Sequence, residues 1–216
     1  MKRYKIDRIF RNLAKNISNP KTELQYKNSY TFLISVVLSA QATDKSVNDA
    51  TKKLFKNVSK PIDMIKMGEK KLKLHIKTIG LYNSKAKNII NLSKLLIKKF
   101  NGKVPEDFDS LISLPGVGNK TASVYQNEIL NIPRIAVDTH VYRVSNRIGL
   151  ANTKNPDDTQ KKLESIIPKK WLKSAHHLLI LHGRYTCKSQ KPLCNECVIV
   201  KQCNYTKSEN QKIISS

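Results

Sequence analysis

The sequence predicts an all-α protein, and three observations carry that prediction. Apolar residues recur at helical spacing, as in Val47, Ala50, Leu54 and Phe55, and again in Ile89, Leu92, Leu95 and Leu96 set among lysines. Sustained alternation of apolar and polar residues, the pattern of a half-buried strand, is absent. Breakers at Pro20, Pro61, Gly80, Gly102, Pro105, Pro115-Gly116, Pro133, Gly149, Pro156 and Pro168 cut the chain into helix-sized lengths. A chain of 216 residues, 39% hydrophobic and 26% charged, reads as globular and is long enough for one large core or two small ones.

The N-terminal segment MKRYKIDRIFRNLAKN is basic and lacks the apolar centre of a signal peptide, so no export is expected. Tyr30 to Ala40 (YTFLISVVLSA) is the most apolar stretch, but it is too short to cross a membrane and carries Thr31, Ser35 and Ser39. A buried helix is expected there. Phe108 to Ser113 reads as a short helix, ended by Pro115 and followed by a second helix running to about Leu130. Asp138 is placed to cap the next helix, after the apolar Ile135, Ala136 and Val137. His176, His177 and His182 lie in an apolar helix (AHHLLILH) and are expected to pack rather than to ligate. The tail after Cys203 is polar and expected to fray.

The net charge is +24, from 40 Lys and Arg against 16 Asp and Glu. Such an excess favours a polyanionic partner, most simply nucleic acid. Lysine far outnumbers arginine, and Asn and Ile are abundant, as drift in an AT-rich genome produces. The sign of the charge therefore carries the argument and its size does not.

All four cysteines fall near the C-terminus with the spacing C-x6-C-x2-C-x5-C: Cys187, Cys194, Cys197 and Cys203. Without export, reduced thiols are expected rather than two disulfides. Four thiolates suit zinc or an iron–sulfur cluster, and one close pair flanked by two single cysteines leans toward the latter while leaving zinc open.

Leu114 to Ala122 (LPGVGNKTA) supplies the other distinctive segment. Gly116 and Gly118 permit positive φ and a close backbone approach, and the helix that follows turns its first N–H groups outward, where they can hold a phosphate. A Walker P-loop fails on spacing, because its glycines would fall at Asn119 and Leu114. A weak echo links Gly80–Ala86 with Gly116–Ala122 and suggests two helix–turn–helix hairpins of similar build.

This hairpin resembles the helix–hairpin–helix of the endonuclease III family of DNA glycosylases. The resemblance covers nearly the whole chain: SAQATD (39–44), IGLYNSKA (79–86), VDTHVYRVSNRIG (137–149), LHGRYTC (181–187) and the cysteine spacing agree in order and separation. One departure is Asn119, where the family commonly has arginine.

The resemblance implies a two-lobed all-α fold. Residues 22–132 would form a six-helix barrel with the hairpin at about 108–130. Residues 1–21 and 133–216 would form a lobe closed by a C-terminal [4Fe–4S] cluster loop, with DNA binding between the lobes. It implies a bifunctional glycosylase and abasic-site lyase that removes oxidised pyrimidines from double-stranded DNA, as a monomer in the bacterial cytoplasm. Lys120 matches the nucleophile and Asp138 its supporting carboxylate. Gln41 and Leu81 match residues that enter the base stack. Gly116, Gly118, His140, Lys188 and Lys191 are assigned to the DNA backbone, and Cys187, Cys194, Cys197 and Cys203 to one structural cluster. A lysine must be neutral to attack. Lowering its pKa from about 10.4 to about 7–8 amounts to roughly 3–5 kcal/mol, for which burial in a cleft is expected to help. The alternatives are a monofunctional glycosylase of the same superfamily and a non-catalytic metal-containing DNA-binding module. Lesion preference is not legible.

Overall fold

Capping signals in the sequence set many of the helix starts. The computed structural model describes residues 1–18 and 20–206, and every regular element among them is helical. α1 (Arg3–Asn16) buries Ile6, Ile9, Phe10 and Leu13 on one face. α2 (Ser29–Ser39) opens with a capping box, in which the Asn28 side chain accepts from the Thr31 amide and Thr31 Oγ1 accepts from the Asn28 amide. Every residue from Tyr30 to Leu38 is buried, as expected of a helix at the centre of a core. No helix among the described residues is long and apolar enough to cross a membrane.

α3 (Asp44–Asn57) is capped by Thr43, and α4 (Pro61–Ile76) starts on its proline, whose missing N–H costs nothing there. Gly68 breaks α4 with φ 77° and ψ 161°, a kink that the apolar pattern does not announce. α5 (Tyr82–Phe100) presents Ile89, Leu92 and Leu96 to the core. α6 (Phe108–Ile112) and α7 (Asn119–Ile129) form the hairpin. α8 (Thr139–Ile148), α9 (Pro156–Ile166) and α10 (Lys169–Tyr185) follow, then 3-10 turns at Cys194–Glu196 and Val200–Gln202.

The chain divides into two compact units, Glu23–Leu130 and Met1–Thr22 with Asn131–Ser216. The first holds α2 to α7 around Phe32, Leu33, Leu54, Leu72, Leu96 and Tyr125. In the second, α1, α8 and α10 share a core of Phe10, Leu13, Val141, Val144, Leu178 and Leu179. Asp7 ties α1 to α10 by accepting from Lys170 Nζ at 2.6 Å and Trp171 Nε1 at 2.8 Å.

The expectation of a frayed tail is corrected for its first residues. The Arg147 guanidinium lies 4.8 Å from the Tyr205 ring centre, and Thr206 Oγ1 donates to the Val200 and Cys203 carbonyls. Residues 207–216, on which the rest of that expectation falls, lie outside the described residues.

Candidate active site and thiol pocket

The α6–α7 hairpin is held from beneath by Leu111, Leu114 and Val117, all buried. Gly116 has φ 82°, and a Cβ there would come within 3.1 Å of Asn88 Cβ and 3.4 Å of Val37 Cγ1. Only glycine meets both demands. Gly118 differs from expectation: as N-cap of α7 it has φ −103°, ordinary extended backbone, and a Cβ there would meet nothing within 4 Å. Its freedom is not needed by the fold; an absent side chain there serves only what approaches from outside. No side chain caps α7, so its first amides, which lack helical partners, stay open toward solvent. Lys120 is the second residue of this helix. Its side chain is exposed, which corrects the expectation that protein burial surrounds it.

Gln41 and Leu81 both adopt left-handed backbone, with φ 56° and 59°. For a residue other than glycine this costs about 1–2 kcal/mol, and Leu81 spends it while 62% exposed. Leu81 is the N-cap of α5 and offers no side-chain acceptor to its first amides. The two loops touch, since a Cβ on Gly80 would lie 3.7 Å from the Gln41 carbonyl oxygen. Lys85, buried in the first turn of α5, spans them by donating to the carbonyls of Leu38 at 3.0 Å and Ala40 at 2.6 Å. The echo between Gly80–Ala86 and Gly116–Ala122 is thus a likeness of topology only. In one hairpin the left-handed residue is Leu81, directly at the helix cap; in the other it is Gly116, two residues before the cap.

In the second unit, Asp138 caps α8 as expected, its Oδ1 accepting from the Val141 amide at 2.8 Å. One turn on, Arg143 Nη2 lies 3.2 Å from His140 Nδ1. A guanidinium only donates, so Nδ1 accepts and the His140 proton sits on Nε2. The same arginine donates to the carbonyls of Gly183 at 2.9 Å and Cys187 at 3.1 Å.

The four cysteines are free thiols and all line one pocket of about 340 Å³, part of it open to solvent. Among the described residues no three or more His, Cys, Asp or Glu side chains are grouped as a single metal ion needs. Cys203 is buried and the other three are half-buried. Burial pushes the Cys197 thiol up, and a bound cationic group is what would stabilise its thiolate. Two nitrogens face the sulfurs: Arg147 Nη1 is 3.7 Å from Cys187 Sγ, and His182 Nε2 is 3.8 Å from Cys197 Sγ. His182 Nδ1 is buried without a partner, and burial holds the imidazole neutral, down to about 4. Four sulfur donors flanked by N–H groups suited to sulfur anions fit an iron–sulfur group. Arg147 also donates to the carbonyls of Lys188 at 2.6 Å and Ser189 at 2.9 Å, beneath the exposed Lys188 and Lys191, the latter with φ 47°.

The structure therefore brings Gln41 and Leu81 together and places Gly116, Gly118 and Lys120 on one hairpin of the same unit. Asp138, His140, Lys188, Lys191 and the cysteines belong to the other unit. Lys85, Arg143 and Arg147 were not singled out from sequence, and His182, expected only to pack, also faces Cys197. A signal for Lys85 existed: it precedes Ile89, Leu92 and Leu96 on the apolar stripe of α5 at i+4, i+7 and i+11, so a buried charge was readable.

Residues 34–169 match the model of the HhH-GPD superfamily of base excision DNA repair proteins. The endonuclease III of Rickettsia conorii is 55% identical over 200 residues, 93% of this chain and 95% of that protein. The chain belongs to the endonuclease III family. The Escherichia coli K12 member is 48% identical over 197 residues, 91% of this chain and 93% of that one. A solved endonuclease III–DNA covalent intermediate superposes with a TM-score of 0.91 at 42% identity, covering 97% of this chain and 99% of that one. Members of the endonuclease III family are the reason to expect an iron–sulfur cluster in the thiol pocket.

Proposed function

We propose that this chain excises oxidised pyrimidines from double-stranded DNA and cuts the abasic site by β-elimination, with Lys120 as the nucleophile. As a member of the endonuclease III family it is a base excision repair DNA glycosylase with abasic-site lyase activity. The observation that carries the lysine's role is its place, exposed on the uncapped first turn of α7 at the head of the hairpin. Because the protein leaves Lys120 exposed, its side chain is free to reach a sugar bound at the head of the hairpin. The capture of a 42% identical endonuclease III as a covalent intermediate on DNA supports this reading.

The damaged nucleotide leaves the stack, and Gln41 and Leu81 take its place. The lysine Nζ bonds to C1′ as the C1′–N bond breaks, and the base departs with that electron pair and gains a proton. The sugar ring opens to a protonated Schiff base. Loss of the C2′ proton then expels the 3′ phosphate oxygen, and water releases the lysine. Asp138, oriented by the Val141 amide, steadies positive charge on the sugar and assists lysine deprotonation. The open amides of α7, His140 Nε2–H, Lys188 and Lys191 hold phosphates. Cys187, Cys194, Cys197 and Cys203 hold one [4Fe–4S] cluster per chain, which shapes the loop of Lys188 and Lys191 and takes no part in the chemistry. The enzyme acts as a monomer in the bacterial cytoplasm, where the DNA is.

Borohydride trapping on duplex containing an oxidised pyrimidine tests the reading. Wild-type protein gives a covalent adduct, and Lys120→Gln gives none. Base release without any wild-type adduct would instead establish a monofunctional glycosylase, and binding without base release a non-catalytic module. A colourless, zinc-loaded protein overturns the cluster assignment.

A further inference from the structure

Lys85 is the one lysine or arginine among the described residues that is buried, with 6% of its surface exposed. It makes no ion pair. Its Nζ donates to the carbonyls of Leu38 and Ala40, the last turn and C-cap of α2, a helix with no basic residue of its own in that turn. Its backbone amide makes the first i→i−4 bond of α5, to the Leu81 carbonyl at 3.0 Å, so the residue is anchored to the Leu81 loop by its backbone while its side chain holds the Gln41 loop. Each contact adjoins a left-handed residue: Gln41 follows Ala40, and Leu81 is itself the acceptor. Neither loop holds that conformation through glycine, so something outside it must. The carbonyls at the end of α2 have lost water and need donors. An ammonium with three N–H groups serves two of them and matches the negative end of the helix dipole, which repays the cost of burying a charge without a carboxylate. Burial as the sole cause of a downward pKa shift agrees with that setting.

We infer that Lys85 is a positioning residue, a buried cation that locks the Gln41 and Leu81 loops into a single rigid wedge for opening the DNA stack. The inference rests on the assignment of Gln41 and Leu81 to the stack, and it concerns duplex opening rather than bond making. Lys120 lies on another hairpin and needs no contact with Lys85 to react once the sugar is accessible.

Two substrates separate the steps: an abasic site in fully paired duplex, and the same site inside a bubble of unpaired bases where there is little to open. Single-turnover borohydride trapping is measured on both for wild type, Lys85→Met and Lys85→Arg. The methionine variant keeps the length of the side chain and loses the donors. Its trapping rate should fall on the order of tenfold or more on duplex and stay near wild type on the bubble, with arginine restoring part of the duplex rate. Equal losses on both substrates, or no loss on duplex, overturn the wedge role of Lys85 and leave the lyase assignment standing. Absence of wild-type trapping on both substrates overturns the lyase assignment, and the inference with it. If Lys85→Met does not accumulate folded, Lys85→Gln, which keeps a donor for one carbonyl, carries the same comparison.

Discussion

Leu81 offers a test in which stability and activity should part company. It sits at φ 59° and ψ 27° with 62% of its surface exposed. Replacement by glycine removes a left-handed strain of about 1–2 kcal/mol. It adds about 0.4–1 kcal/mol of unfolded-chain entropy. Full burial of a leucine is worth about 1.5–3 kcal/mol, so the roughly one-third that is covered contributes about 0.5–1 kcal/mol. The balance for Leu81→Gly is close to zero. Leu81→Ala loses most of that buried surface but keeps most of the strain, which leaves it about 0.5–1 kcal/mol below wild type. Glycine should thus be at least as stabilising as alanine at a helix boundary, the reverse of the helix-interior order, where alanine leads by about 1 kcal/mol. Urea unfolding midpoints of the two variants at equal slope give the comparison. Cleavage of damaged duplex should fall alike in both, since both lose the wedge. An alanine variant clearly more stable than the glycine one would refute the strain, and undiminished duplex cleavage in either would refute the wedge.

Three further outcomes are expected. Asp138→Asn keeps the α8 cap and so keeps the melting temperature while adduct formation slows, whereas Asp138→Ala also loses about 1 kcal/mol of stability; equal melting of the two would deny the cap. Burial, then His176 and Arg184, pushes His177 down to about 3, so the unfolded chain takes up its proton first on acidification. Stability from this site is full above about 6.5 and is lost as pH falls toward about 3. His177→Gln should flatten the acid limb of the stability profile, and an unchanged limb assigns it elsewhere. Arg147→Lys replaces a fork that spans the Lys188 and Ser189 carbonyls with a point charge. Visible absorbance of the purified variant should bleach faster under chelator, with weaker and less salt-sensitive DNA binding; wild-type bleaching kinetics would count against the arginine's hold on the loop.

What was legible in the sequence followed periodicity and chemical type. The stripe of α5, the buried centre of α2 and the Asp138 cap each depend on neighbours within about a turn, so local pattern suffices. The gathering of the four cysteines in one pocket is legible because few residue types are set at that spacing without a shared site. Backbone sign is another matter. That Gln41, Leu81 and Lys191 adopt positive φ is invisible in their side chains, and the carbonyls near two of them are held from distant segments, Ala40 by Lys85 and Lys188 by Arg147. Gly118 misleads in the opposite sense. A glycine beside Gly116 suggested a second strained turn, but its backbone is extended and its missing side chain faces open space.

The same cations revise what the charge of +24 means. Among the described residues, Lys85, Arg143 and Arg147 form no ion pair with a carboxylate. Each binds backbone carbonyls instead: Lys85 at the end of α2, Arg143 just past α10, Arg147 in the cysteine-bearing loop at Lys188. A carboxylate partner would fix a cation through a flexible side chain. Carbonyls fix the chain itself, and the segments fixed here lead into Gln41, Lys188 and Lys191, the groups assigned to DNA. In a protein that must meet a polyanion, acidic residues near that face would repel the ligand. Backbone carbonyls position the loops without adding negative charge. Part of the basic excess is therefore occupied with the protein's own carbonyls, and neutral residues at these three positions, unlike at most of the exposed lysines, should weaken action on duplex DNA.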